Sequence, residues 1–225
     1  METWSEKVGK FEVYYGQYQN GGGPFYNKFN KSLLSEYKNV KALEICSGPG
    51  FIGYDLLSNG IASNVDFADN NPEVKKYIEL TNSKNNINYD GTIINFYLSN
   101  SLENIPAFQY DIIIGNPPHL KTEEQYKILE DDGFVDKTWP EKKLEYERRI
   151  LLDKDFSFHK KFFSEVDKYI RVNGSVVLYE NADFITPDEL IDMYSKKYDH
   201  SIIRSIFKNE DTKADFYALK STRYE

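Results

Sequence analysis

The chain has 225 residues, 16% of them aromatic, and a formal net charge of -8, which is enough for one full α/β core and short for two. That acidity argues against a protein that grips a nucleic-acid backbone unaided, which needs a basic face; the local runs Lys142-Lys143 and Arg148-Arg149 are interrupted by acids and read as a solvated helix face. Cys46 is the only cysteine, so no intrachain disulfide forms, and no apolar run reaches the ~20 residues that span a bilayer. The opening "METWSEKVGKF" lacks the apolar core of a signal peptide, and the expected location is cytoplasmic.

Residues 1–39 stand apart from the rest. "FEVYYGQYQNGGGPFYNKF" sets Tyr14, Tyr15, Tyr18, Phe25 and Tyr26 around three successive glycines, which resist regular structure. This stretch reads either as an aromatic lid that closes over a ligand or as aromatics that cover the sheet edge, followed by a helix from Pro24 to Tyr37 with Phe25, Phe29, Leu33 and Tyr37 on one face. From residue 40 to 225 strands and helices alternate. "KALEIC", "SNVDFA", "TIINFYL", "YDIIIG" and "GSVVLYE" read as strands. "FIGYDLLSN" and "NPEVKKYIELTNSKN" read as helices, and so does a long region from Glu141 to Arg171, broken near Asp153. "TPDELIDMYSKK" is a further helix with Thr186 as N-cap. Such alternation predicts a mostly parallel, doubly wound sheet. The closing "HSIIRSIF" and "ADFYALKST" have no helix between them and predict an antiparallel edge hairpin.

Two loops carry the chemistry. "EICSGPGFIG" places Gly48, Gly50 and Gly53 in a G-x-G-x-x-G pattern between a strand and a helix, with Cys46, Ser47 and Phe51 in the same bend. Asp69, with Asn70 beside it, ends the next strand where an acid commonly meets ribose hydroxyls. A dinucleotide and S-adenosylmethionine both use this geometry. Glu44 favours the second, because a carboxylate beside a pyrophosphate adds repulsion, whereas beside an ammonium it is useful. The other loop, "DIIIGNPPHL", ends a buried strand in Asn116, Pro117, Pro118 and His119. The Asn116 amide donates and accepts hydrogen bonds, and Pro117 leaves its carbonyl as an acceptor. Two acceptors on a rigid turn suit both protons of an –NH2 group.

Together, "EICSGPG", "DFADNNPE" and "YDIIIGNPPH" resemble the class I S-adenosylmethionine-dependent methyltransferases. "NPPH" is similar to the Asn-Pro-Pro-aromatic signature of enzymes that methylate planar nitrogens, such as release-factor glutamine and adenine-N6 methyltransferases. The resemblance implies a Rossmann-like seven-stranded sheet of order 3-2-1-4-5-7-6 with the seventh strand antiparallel. It implies that Glu44 and the Ser47–Gly50 loop hold the methionine end and Asp69 the ribose, with S-adenosyl-L-homocysteine as product. It also implies that Asn116 and the Pro117 carbonyl hold the target nitrogen. Two positions depart from the family pattern. Asn100 and Ser101 stand where an acid often meets the adenine amino group, and His119 replaces an aromatic residue, which leaves planar packing and proton removal both open as its role.

The expected reaction is methyl transfer to a planar nitrogen of a small molecule or a peptide or protein side chain. The alternatives are a nucleic-acid adenine methyltransferase working with a partner subunit, and an inactive cofactor-binding scaffold. No metal is expected, since His119, His159 and His200 are far apart in sequence. His159, on the aromatic helix "DFSFHKKFF", reads as a packed core or boundary histidine. The insert 121–141, with Trp139, is expected to cap the site or remain a plain loop. Glu180 and Asn181 fall at its rim; with Tyr15, Tyr18, Tyr26, Pro118 and His119 they complete the expected acceptor side.

Overall fold

The computed structural model describes residues 3–16, 27–87, 93–107, 109–206 and 215–225. Seven strands form one sheet in the order β5-β4-β3-β6-β7-β9-β8: β3 (Val40–Ile45), β4 (Ala62–Asp69), β5 (Ile93–Leu98), β6 (Tyr110–Gly115), β7 (Ile170–Asn181), β8 (Tyr198–Ile206) and β9 (Asp215–Arg223). The five strands β5 to β7 are parallel, and β9 runs antiparallel to both β7 and β8. Counted from β3, this is the 3-2-1-4-5-7-6 order expected from the sequence, with its edge hairpin.

The period of two along the strands divides the core into two layers. Ala42, Val65, Phe67, Ile112, Ile114, Val177 and Tyr179 face one side of the sheet. Helices α1 (Asn27–Leu33), α2 (Phe51–Ser58) and α3 (Val74–Lys84) cover that side. Leu43, Ile45, Ile113, Val176 and Leu178 face the other, against α6 (Ser157–Glu165) and the residues around α7 (Pro187–Ile191). In α7, Thr186 is the N-cap as expected, in a capping box with Glu189, but only five residues are helical, fewer than the twelve-residue pattern suggested.

Two segments differ from their sequence reading. Residues 3–16 form a hairpin, β1 (Thr3–Val8) and β2 (Phe11–Gly16). Val8, Phe11 and Val13 are buried in the α2–α3 layer. The backbone amides of Lys10, Glu12 and Tyr14 donate to Ser58, Asn85 and Thr81. The alternation in "FEVYYG" is thus that of a packed strand, and the glycine run that drew attention begins five residues beyond it. Tyr18, Phe25 and Tyr26 lie outside the described residues. The insert, in turn, is largely helical: α4 (Glu123–Asp131) starts at a Thr122–Gln125 capping box. It continues into α5 (Glu141–Leu151) as one lobe, with its own apolar cluster of Leu120, Tyr126, Val135, Trp139 and Leu152. The lobe closes where it began: Leu120 and Leu152 form a parallel bridge, and the Asp153 amide donates to the Leu120 carbonyl at 2.7 Å. Among the described residues no helix is long and apolar enough to cross a membrane.

Candidate active site

Strand register builds the site. Ala68, Ile45, Gly115 and Leu178 are mutual partners across β4, β3, β6 and β7. The next residue on each strand is Asp69, Cys46, Asn116 and Tyr179. Between β3 and β6 the strand order reverses, which opens a crevice beyond the carboxyl ends of a doubly wound sheet. The glycine bend and the Asn-Pro-Pro corner therefore leave neighbouring strands at the same level.

The bend is tightly tied. Cys46, Gly48 and Gly50 all have positive φ, 48°, 47° and 89°, a region that side chains with a Cβ rarely adopt. Gly50 caps α2, and its carbonyl accepts from the Tyr54 amide. Asp69 accepts from the Gly48 amide at 2.9 Å and from the Asn71 amide at 2.8 Å, so the end of β4 holds the bend. Burial raises the Asp69 carboxyl above its ordinary range, while those amides and the charge of Arg149 on α5 pull the other way. Glu44 lies beneath, 2% exposed, and accepts from the Gly53 amide at 2.7 Å. A Cβ on Gly53 would stand 2.8 Å from that same carboxyl oxygen and 2.5 Å from Phe67, so only glycine admits the contact. Burial pushes Glu44 up to about 8, since its surroundings offer amides and the like charge of Asp69 but no cation. Tyr15 of the hairpin sets its ring edge-on to Phe51, at the first residue of α2.

Asn116 Oδ1 and Ser101 Oγ, both just beyond strand ends, are buried and have no hydrogen-bond partner among the described residues. Such groups are costly unless something completes them. Ser101 follows β5 at a positive φ of 61° and is buried, whereas Asn100 is exposed. Pro117 is buried, and Pro118 and Asn70 are partly or fully exposed. Asn181 spends its side chain on the following turn, accepting from the Asp183 amide. Trp139 packs into the lobe's cluster with Lys143 over its ring.

His119 and Glu180 meet. His119 Nδ1 lies 2.7 Å from Glu180 Oε2, and Glu180 Oε1 lies 3.0 Å from Nε2 of His159, whose Nδ1 is 2.6 Å from Asp153. Glu180 and His159 are both 0% exposed. His159 does sit among aromatic rings, those of Phe156, Phe158 and Phe163, but both its nitrogens are bonded, which its sequence reading did not anticipate. Burial pulls its pKa down; the charge of Glu180 and the bonds to Asp153 and Glu180 outweigh that and raise it to about 9. Burial likewise pulls Glu180 up, but the His159 charge and both histidine hydrogen bonds hold it below its ordinary value. Asp153 also accepts from the Phe158 and His159 amides, capping α6. The one sequence signal for this pair was the helix break at Asp153, six residues before His159. Burial, with the charges of Asp69, Asp153, Glu180 and Glu44, pushes the Cys46 thiol well up, so the glycine bend and the histidine cluster share one electrostatic environment.

Residues 27–135 match the methyltransferase small domain family. A Methanocaldococcus jannaschii protein named as a protein N5-glutamine methyltransferase is 29% identical over 149 residues, 66% of each chain. The release factor glutamine methyltransferase of Aquifex aeolicus is 25% identical over 146 residues, 65% of this chain and 48% of the relative. The chain thus spans only part of the curated relatives it matches. The solved structure of M. jannaschii TYW2 in complex with AdoMet superposes with a TM-score of 0.56 at 12% identity, covering 98% of this chain and 86% of that one; at that identity it speaks for the fold.

Proposed function

We propose that this chain is an S-adenosylmethionine-dependent methyltransferase, as its match to the methyltransferase small domain over residues 27–135 supports, and that it methylates a planar side-chain amide nitrogen of a protein, the glutamine type named in its relatives. The observation that carries the reading is Asn116 Oδ1, buried and without a hydrogen-bond partner among the described residues, one strand away from the glycine bend. An amide –NH2 brings two protons, and Asn116 Oδ1 with the Pro117 carbonyl offers two acceptors on one stiff corner. Both would stabilise positive charge as it builds on nitrogen and fix the line of attack.

The residues present fit the cofactor. The positive-φ bend from Cys46 to Gly50 brings backbone close to the methionine end. Asp69 keeps lone pairs for ribose hydroxyls beyond its two amide bonds. The orphaned Ser101 Oγ suits the adenine edge, with Asn100 beside it. When bound, S-adenosylmethionine supplies a methyl carbon made electrophilic by its sulfonium. Glu44 supports the bend through Gly53 and favours an ammonium above it. The lobe 121–152 caps the acceptor side.

Labelled-methyl transfer into separated protein, small-molecule and RNA fractions tests the reading. Label is expected in protein, released as methylamine on acid hydrolysis. Label in RNA would replace the amide with a nucleobase, and binding without transfer would make the chain a scaffold. Asn116→Ala should lower turnover by about 100-fold or more with little change in calorimetric affinity for S-adenosylmethionine.

A further inference from the structure

We infer that His159 and Glu180 are positioning residues that hold His119 ready to take the proton leaving the methylated nitrogen, through a buried chain Asp153–His159–Glu180–His119. The inference rests on the amide reading above. Four groups from four parts of the fold converge here: Glu180 from β7, His159 from α6, Asp153 from the foot of the lobe, and His119 from the Asn-Pro-Pro corner. A packing ring at position 119 needs none of them. Three of the four are 3% exposed or less, and buried charge is retained only where it is paired.

The order of bonds dictates the direction. His159 lies between two carboxylates and is the cation of the chain. Its charge keeps Glu180 ionised, and an ionised carboxylate only accepts hydrogen bonds. Nδ1 of His119 must therefore be the donor to Glu180, so that in the neutral ring Nε2 carries the lone pair. Among the described residues Nε2 has no hydrogen-bond partner. Other groups near the cluster include the Cys46 thiol, which senses both Asp153 and Glu180, the Tyr194 hydroxyl, which senses Glu180 and is pushed up by burial, and the apolar Phe216, edge-on to His119 at 6.0 Å. The thiol and the hydroxyl are both shifted upward, so neither takes the part of an acceptor base. As the nitrogen–carbon bond forms and the carbon–sulfur bond breaks, that bond's electrons stay on sulfur and the nitrogen holds one proton too many. That proton passes to Nε2 of His119, and Glu180 stabilises the resulting imidazolium. The lobe sets the alignment, because Asp153 donates its amide to Leu120, the residue after His119.

The test is histidine-selective nitrogen NMR on the full chain, which needs no acceptor. At pH 7.5 His119 is expected in the Nδ1–H tautomer and His159 doubly protonated, with His200 as the internal reference. His159→Gln and Glu180→Gln should each move His119 towards a mixed tautomer while His200 stays put. His119 in the Nε2–H form in the wild type, or unmoved in folded His159→Gln, overturns the inference; the wild-type spectrum decides even if the variants do not fold. With the acceptor found by methyl labelling, His159→Gln should lower kcat about tenfold at unchanged KM for S-adenosylmethionine, and His119→Phe should make the second loss disappear. Full activity in His119→Phe, alongside a dead Asn116→Ala, would leave the amide reading standing and remove the proton role. Coupled tautomers with label found in another acceptor class would uphold the positioning and remove the amide.

Discussion

Glu44 and Glu180 are two glutamates at the carboxyl end of one sheet, both all but sealed from water, and their surroundings drive them in opposite directions. Glu44, beneath the glycine bend, meets backbone amides and the like charge of Asp69 and is raised by burial to about 8. Glu180, beside the Asn-Pro-Pro corner, is raised by burial too, but His159 and the two histidine hydrogen bonds bring it below its ordinary value. Burial is the largest single influence on each, so burial does not separate them. What separates them is whether a cation stands within bonding distance. Among the described residues Glu44 has no cation bonded to it, while Glu180 belongs to an ion chain already closed within the protein.

The comparison breaks most readily at Glu180. Glu180→Ala leaves His159 Nε2 and the His119 donor without their acceptor in a dry site, with Asp153 the one carboxylate left on His159, and should cost about 3–5 kcal/mol of stability, read from the denaturant midpoint at pH 7. Next comes Glu44→Gln. A carboxyl whose folded pKa is raised stabilises fully below its unfolded value of 4.5 and loses that contribution as pH rises to about 8. The glutamine variant should therefore gain on the wild type across that window and run parallel above it. Parallel curves throughout would make Glu44 an ordinary ionised carboxylate and end the contrast. His159 has the same sign at higher pH: its contribution is present below 6.5 and is lost as pH rises through about 9. Gly53→Ala pushes a methyl group into Phe67 and the Glu44 oxygen and should cost about 1–3 kcal/mol, with weaker S-adenosylmethionine binding by calorimetry. Thr186→Ala, at a cap remote from both carboxylates, should cost about 1 kcal/mol and leave both titrations unmoved.

Much of the fold was legible in residue order. "IIIG" and "VVLY" are apolar runs of strand length, the two motif loops follow strands, and short connections force neighbours together. The hairpin was obscured because the aromatics of "FEVYYG" run into a glycine tract, and only contact with α2 and α3 shows which of them are buried. The lobe was obscured because α4 is polar on most of its surface, with Tyr126 its one buried residue. Within the site, Asn116, Asp69 and the glycine bend stood out because each is an odd residue for its place, polar or flexible at the end of a buried strand.

The sequence by itself determined the strand-helix alternation, the two loops that follow β3 and β6 and the residue types they present, since these depend on local periodicity and on chemistry a few residues apart. Tertiary structure alone decided that Glu180 belongs to His119, and His159 to Glu180. Those partners come from separate elements, up to 61 positions apart. A side chain's charge state in a dry interior is set by whatever the folded chain places within about 3 Å of it, and no local pattern records that neighbour.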